Sequence, residues 1–210
     1  MPIFVAYHLG VIFLPVRNAA DVVTSQLADL ATHNLSLYLV LTGALGLIVA
    51  LGLLFFGHRD KLRWESFALV GVEGVVYALA MRQVASLVVG SLPMGPIAGL
   101  EQTTFGAVVM SLGAGFYEEV AFRLLAFGVG AKLLLSLDDW PRWVVYPLWA
   151  VACAAAFSAW HHLGPMGEPF TPTAFAFRTT CGVVFTAIYG FRGFAPAVWT
   201  HALYDIWAMT

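Results

Sequence analysis

Hydrophobic positions fill the chain in long runs, and polar positions fall between those runs or singly inside them. There is no period-two alternation, and little of the one-sided striping that marks a helix half facing water. Runs that are apolar on every side and about 20 residues long suit helices crossing a hydrocarbon slab about 30 Å thick. Residues 35–56 form the cleanest run, with no charge inside it. Residues 66–90 enclose Glu73 and Arg82, and residues 103–135 exceed one span and carry Glu118, Glu119 and Arg123 near their middle. Residues 143–163 end at His161 and His162, residues 173–191 contain Arg178, and residues 194–209 contain His201 and Asp205. The opening stretch, residues 2–16, is apolar but short, so it either spans or lies at the interface. The pattern predicts an all-α fold: a polytopic transmembrane helical bundle of six to seven spans.

The connectors carry the residues that break helices: Gly57-His58-Arg59-Asp60, Pro93-Met94-Gly95-Pro96, Asp138-Asp139-Trp140-Pro141, Gly164-Pro165 and Gly193. No repeat and no low-complexity tract interrupts them, so residues 1–210 read as a single integral membrane domain. The opening stretch does not read as a cleaved signal peptide. It lacks a basic leader, and Pro15-Val16-Arg17-Asn18 is no small-residue cleavage site.

Composition narrows the function classes. Hydrophobic residues make up 60% of the chain and charged residues only 10%, with mean hydropathy +0.84. A soluble domain carries about 25% charged residues, so a soluble globular fold and a disordered chain are both excluded. A net charge of −2 offers no basic field for phosphate, which excludes nucleic acid as a partner. Cys153 and Cys181 sit inside apolar runs and read as small buried hydrophobes, not as a disulfide framework or a thiolate metal site.

Positive charge sets the expected orientation. If the first stretch spans from a cytoplasmic N-terminus, then Arg59, Lys61, Arg63, Lys132, Arg142 and Arg192 all fall at cytoplasmic ends. Arg17 alone falls outside.

Candidate chemistry lies in the intramembrane polar residues, because an ionisable group at mid-bilayer costs about 2.5–3.5 kcal/mol to insert. The densest cluster is Tyr117-Glu118-Glu119-Val120-Ala121-Phe122-Arg123, flanked by Gly113-Ala114-Gly115. On an α-helix Glu119 and Arg123 stack one turn apart, with the glutamate in the favoured N-terminal position. Arg123 keeps its charge and neutralises Glu119, while Glu118 lies about 100° round the helix without such a partner. One anchored and one free carboxylate suit a general base beside its orienting neighbour. A structural ion pair with a spare carboxylate facing a polar cavity is the alternative.

A second cluster, Phe157-Ser158-Ala159-Trp160-His161-His162, follows a run of alanines that would admit a neighbouring helix or a substrate. His161 shares a helical face with Phe157, which leaves His162 as the interfacial histidine. The third, His201-Ala202-Leu203-Tyr204-Asp205, spaces an imidazole and a carboxylate one turn apart. The pair either satisfies itself or positions the imidazole for chemistry. Glu73 and Arg82 lie on opposite faces of one helix and cannot pair with each other. His8, His33 and His58 read as chemically idle, and the many Phe and Trp residues as lipid-facing or interfacial.

Glu118-Glu119 to Arg123, Phe157 to His161, and His201 to Asp205, each in its own apolar helix, resemble the motif trio of the CAAX-protease and bacteriocin-processing family. This is the Abi family of intramembrane endopeptidases, which includes the type II CAAX prenyl endopeptidases. The resemblance runs from about residue 103 to the C-terminus and implies a helical membrane bundle with a conical cavity above the catalytic residues. It also implies peptide-bond hydrolysis within the membrane. Glu118 would activate water with the help of His161, Glu119 with Arg123 would brace the site, and His201 with Asp205 would hold the oxyanion. Many members carry Asn where this chain has Asp205. An ionised Asp only accepts hydrogen bonds, so Asp205 is expected to orient His201, which then donates.

No cofactor is expected. The alternatives are a zinc enzyme, with Glu118, His161 and His201 as a His₂Glu ligand set, a non-catalytic immunity or scaffold protein, and a small transporter. The motifs lack the one-helix His-Glu-x-x-His spacing that marks a zinc protease. The implied partners are the lipid bilayer and a membrane-embedded protein or peptide, such as a C-terminal sorting anchor. Short loops and the lack of an appended domain suggest a multi-pass protein of a prokaryotic inner (plasma) membrane.

This orientation puts His161 near the outer end of its span and Glu118 and His201 near the middle, so the site would open to the extracytoplasmic side. With a cysteine at position 164 or 193, a membrane-impermeant thiol reagent on intact cells should label position 164 only. Labelling at 193 and not at 164 would invert the topology.

Overall fold

The computed structural model describes residues 2–13, 33–56, 64–90, 104–163 and 167–209. Within them the protein is all-helical: α1 (Pro2–Phe13), α2 (Leu35–Phe56), α3 (Trp64–Val89), α4 (Thr104–Leu137), α5 (Arg142–Trp160), α6 (Pro172–Arg192) and α7 (Phe194–Met209). Connectors 57–60, 93–96 and 164–165 lie outside the described residues. So do His58, Arg17, Arg59, Lys61 and Arg63.

Helix α4 is continuous over 34 residues but not uniform. Thr104–Glu118 is α-helical, Glu119–Val129 is π-helical, and Gly130–Leu137 returns to α. A π-helix hydrogen-bonds i→i+5, so it is wider and turns less per residue. Glu118 is the last α-helical residue and Glu119 the first of the wide segment, so the two carboxylates straddle the junction. Tertiary contacts brace the segment. Trp149 of α5 donates its indole N–H to the Ala126 carbonyl at 2.8 Å, and at Gly128 a Cβ would meet the Tyr189 hydroxyl at 2.8 Å.

Local sequence explains the helix ends nearest the site. Thr171 caps α6, its hydroxyl accepting from the Ala174 N–H at 3.1 Å, and Pro172 follows at the first helical position, where its missing N–H is no loss. Gly193 ends α6 with φ +93°, a conformation that side chains resist, and α7 begins at the next residue. That one-residue link folds α7 back along α6.

Among the described residues four helices are long and apolar enough to cross a membrane: 65–89 within α3, then α4, α5 and α6. These four are among the six to seven runs read as spans, and the charge-free run 35–56 is helix α2, 22 residues long. Helix α1 is short at 12 residues and α7 has 16. The bundle packs α4 between α1 and α7, with α3 against α6 and α7, and α5 along α6.

Close approach of α7 to α4 depends on Gly115. A Cβ there would lie 2.7 Å from the Ala202 backbone nitrogen and 2.8 Å from its Cβ. Gly115→Ala should gain up to about 1 kcal/mol of helix propensity. The forced displacement of α7 should outweigh it, since overpacking costs about 1–3 kcal/mol. We expect a lower melting temperature, whereas Gly71→Ala, which meets nothing within 4 Å, should be neutral or stabilising. Equal melting of the two variants would refute the contact.

Candidate active site

Four helices bring the candidate residues to one point. Glu118, Glu119 and Arg123 come from α4, His161 from the residue after α5, and His201 and Asp205 from α7; α6 supplies Gly182 and Phe185. Glu118, Glu119, Arg123 and His201 are all buried, with 3% exposure or less. Such groups are tolerated in an apolar bundle only when they satisfy one another.

Glu119 is the hub. Its Oε1 lies 3.1 Å from Arg123 Nη1 and 2.8 Å from His201 Nδ1. Arg123 Nη2 also donates to the Gly182 carbonyl at 3.3 Å, and its guanidinium lies over the rings of Phe157 (4.4 Å) and Phe185 (5.0 Å). Phe185 stacks on His201 with a 17° interplanar angle, while Phe157 meets both His161 and His201 edge-on. The expectation that the aromatic residues are lipid-facing fails for these two, which form the walls that hold the cation and the imidazole.

Glu118 is held more loosely. Its Oε2 lies 3.8 Å from His161 Nε2 and 3.6 Å from His201 Nε2, and that oxygen has no hydrogen-bond partner among the described residues. The Nδ1 of His161 bonds the Phe157 carbonyl at 2.9 Å. An N–H is needed there, so in the neutral ring Nε2 carries the lone pair and faces Glu118. Two acceptors thus point at one another across 3.8 Å. That is too far for a direct hydrogen bond and suits one water donating to both.

Asp205 stands beside His201, one turn along the same helix, as their spacing predicts. Its Oδ2 stands 3.4 Å from Nε2, while the short bond of the ring runs from Nδ1 to Glu119. The orienting carboxylate of His201 comes from another helix, and Asp205 flanks the nitrogen that faces Glu118.

Sequence reasoning passed over several contributors. Glu168, in the connector after α5, donates its backbone N–H to the His161 carbonyl at 2.9 Å and accepts from Arg178 through both carboxylate oxygens at 2.6 Å. Its carbonyl takes the Nδ1–H of His162 at 3.1 Å. His8, read as idle, is buried and bonded to Tyr117 at 2.6 Å and to Tyr38 at 3.0 Å. The signal was available, since an ionisable residue within an apolar run already demands a partner. Glu73 pairs with Arg192, and Arg82 lies 4.2 Å over the Trp207 ring, so both find partners on other helices. Cys153 and Cys181 are buried and free.

Among the described residues no group of three or more His, Cys, Asp and Glu side chains is arranged as a metal cage.

A sequence model of the Rce1-like type II CAAX prenyl endopeptidases matches residues 100–207, just over half of the chain. No curated protein and no solved structure matches.

Replacing Arg123 with Ala would leave Glu119 buried beside a single partner and open the space between Phe157 and Phe185. Breaking one side of a buried pair costs about 3–5 kcal/mol. We expect Arg123→Ala to lose that much stability, read as a lower melting temperature in detergent. An unchanged melting temperature would show that the pair does not hold the fold.

Proposed function

The chain belongs to the Rce1-like family of type II CAAX prenyl endopeptidases, and we propose that it is an intramembrane endopeptidase of the glutamate type. It is an integral membrane protein of a protease family. The observation that carries the finer reading is the gap between Glu118 Oε2 and His161 Nε2, two acceptors 3.8 Å apart in an apolar bundle.

A water in that gap donates one hydrogen to each acceptor and turns a lone pair outward. As its oxygen bonds to the scissile carbonyl carbon, its proton passes to Glu118. The carbonyl oxygen gains negative charge, which His201 meets when its Nε2 carries hydrogen. Glu119 on Nδ1 and Asp205 beside Nε2 both favour that hydrogen. Glu118 then returns the proton to the leaving nitrogen as the carbon–nitrogen bond breaks. Glu119 and Arg123 move no proton; they hold His201 and the helix wall.

The proposed substrate is a hydrophobic segment of a membrane protein, in the form of a C-terminal anchor. The proposed setting is the plasma membrane of a prokaryote, and no resident metal takes part. The fixed clamp around Glu119 supports turnover over a purely structural ion pair, because it leaves Glu118 Oε2 without a hydrogen bond to the protein.

Purified protein in proteoliposomes should cleave a hydrophobic C-terminal anchor peptide, with a farnesylated CAAX peptide tested beside it. Glu118→Gln keeps the shape and removes the base, so cleavage should fall by at least ~100-fold, in line with typical general-base contributions. The variant should insert and melt normally, and prolonged chelation should leave the wild-type rate intact. Near-normal cleavage by Glu118→Gln would refute the assignment. Rate loss on chelation, with recovery on adding zinc, would refute the metal-free mechanism.

A further inference from the structure

The matched family region begins at residue 100, yet helix α1 reaches the catalytic helix from outside it. On α4, Val109, Gly113 and Tyr117 recur every four residues and form the face toward α1. A Cβ at Gly113 would run into the ring of Tyr7, and one at Gly10 would run into the Val109 side chain, so each helix seats a side chain of the other on a bare glycine. Gly115, Glu118 and Glu119 form the other face, toward Ala202 and His201 of α7. The helix is held from two sides, and its rotation decides where Glu118 points.

His8 supplies the polar contact on the α1 side. It is buried at 6% exposure, with Nε2 at 2.6 Å from the Tyr117 hydroxyl and Nδ1 at 3.0 Å from the Tyr38 hydroxyl of α2. One proton assignment serves every group. Tyr38 donates to the His8 backbone carbonyl at 3.4 Å, Nδ1–H donates to the Tyr38 oxygen, and Tyr117 donates to Nε2. A neutral imidazole thus joins three helices with no hydrogen left over. Tyr117 immediately precedes Glu118 and the start of the π-helical segment, where the i→i+5 ladder holds the helix less firmly than an α-ladder.

We propose that His8 is a positioning residue for the reaction: through Tyr117 it fixes the rotation of α4 that aims Glu118 between His161 and His201. The inference rests on the peptidase reading. It adds to it a helix outside the matched region, acting on turnover without touching substrate.

The test uses the full-length protein in proteoliposomes with the anchor peptide. His8→Phe keeps the ring volume and removes both nitrogens; it should lower kcat at least ~10-fold while KM stays within about twofold. His8→Gln, whose amide both donates and accepts, should recover most of that loss. Tyr117→Phe should match His8→Phe, and the double variant should lose no more than either alone, since all three delete the same bond. Should His8→Phe not be recovered folded, Tyr117→Phe, which deletes one oxygen, carries the comparison. Hydrogen exchange over residues 117–129 should quicken in both variants and stay unchanged in α6.

A kcat within twofold of wild type in Tyr117→Phe, or His8→Gln no better than His8→Phe, would overturn the proposal while leaving the peptidase reading intact. If the wild type cleaves neither peptide, the peptidase reading fails instead. Exchange then decides the coupling alone, and equal exchange in wild type and variants overturns it.

Discussion

A carboxylate inside an apolar bundle has no water to fall back on, and the arrangement around Glu119 answers that constraint. Arg123 supplies the countercharge from the same helix, and His201 supplies an N–H from α7. Neither partner is free to leave. Arg123 is pinned by the Gly182 carbonyl and two aromatic faces, and His201 lies flat against Phe185. Pulling α4 and α7 apart would strand a charge, at a cost of about 3–5 kcal/mol, a large share of an ordinary domain's stability. The clamp thereby fixes the distances at which Glu118 meets its neighbours, though Glu118 takes no part in it.

Much of this was legible in the chain. Two of the hydrophobic runs, 35–56 and 194–209, coincide with helices α2 and α7 at both ends, because apolar length bounded by breakers is a direct imprint of helical rise. The candidate residues were legible for a related reason: a charge inside an apolar run stands out against its background. What stayed hidden depends on contacts between helices. The π-helical stretch has no local signature, since Trp149 and Tyr189, which brace it, come from other helices. Asp205 was read as the partner of His201 from one-turn spacing, yet the short bond goes to a glutamate 82 positions away. The same limit made His8 look idle, because its partners stand 30 and 109 positions along the chain.

The glycines and the aromatic residues divide the packing between them. Gly113 and Gly115 let α1 and α7 approach the backbone of α4 from two directions, and Gly182 lets α5 approach α6. Phe157 and Phe185 fill the space around the charged groups, lowering the local dielectric and strengthening each polar contact that remains. Thin contacts where helices meet and thick ones around the charges together enclose a small polar cluster within a bundle that is otherwise apolar.

The length of α4 has a further consequence. At about 1.5 Å per residue its 34 residues make a rod about 50 Å long. A slab about 30 Å thick cannot contain such a rod at any tilt up to about 40°. One end therefore protrudes, and the terminal stretch Gly130–Leu137 has the make-up for it. Lys132 and Ser136 lie one turn apart with Leu133, Leu134 and Leu137 exposed beside them, a segment suited to the boundary between headgroups and acyl chains. A foot resting there would fix the depth of the polar cluster: Glu118 lies no more than about 20 Å along the axis from Lys132, and less where the wider π-helical stretch intervenes.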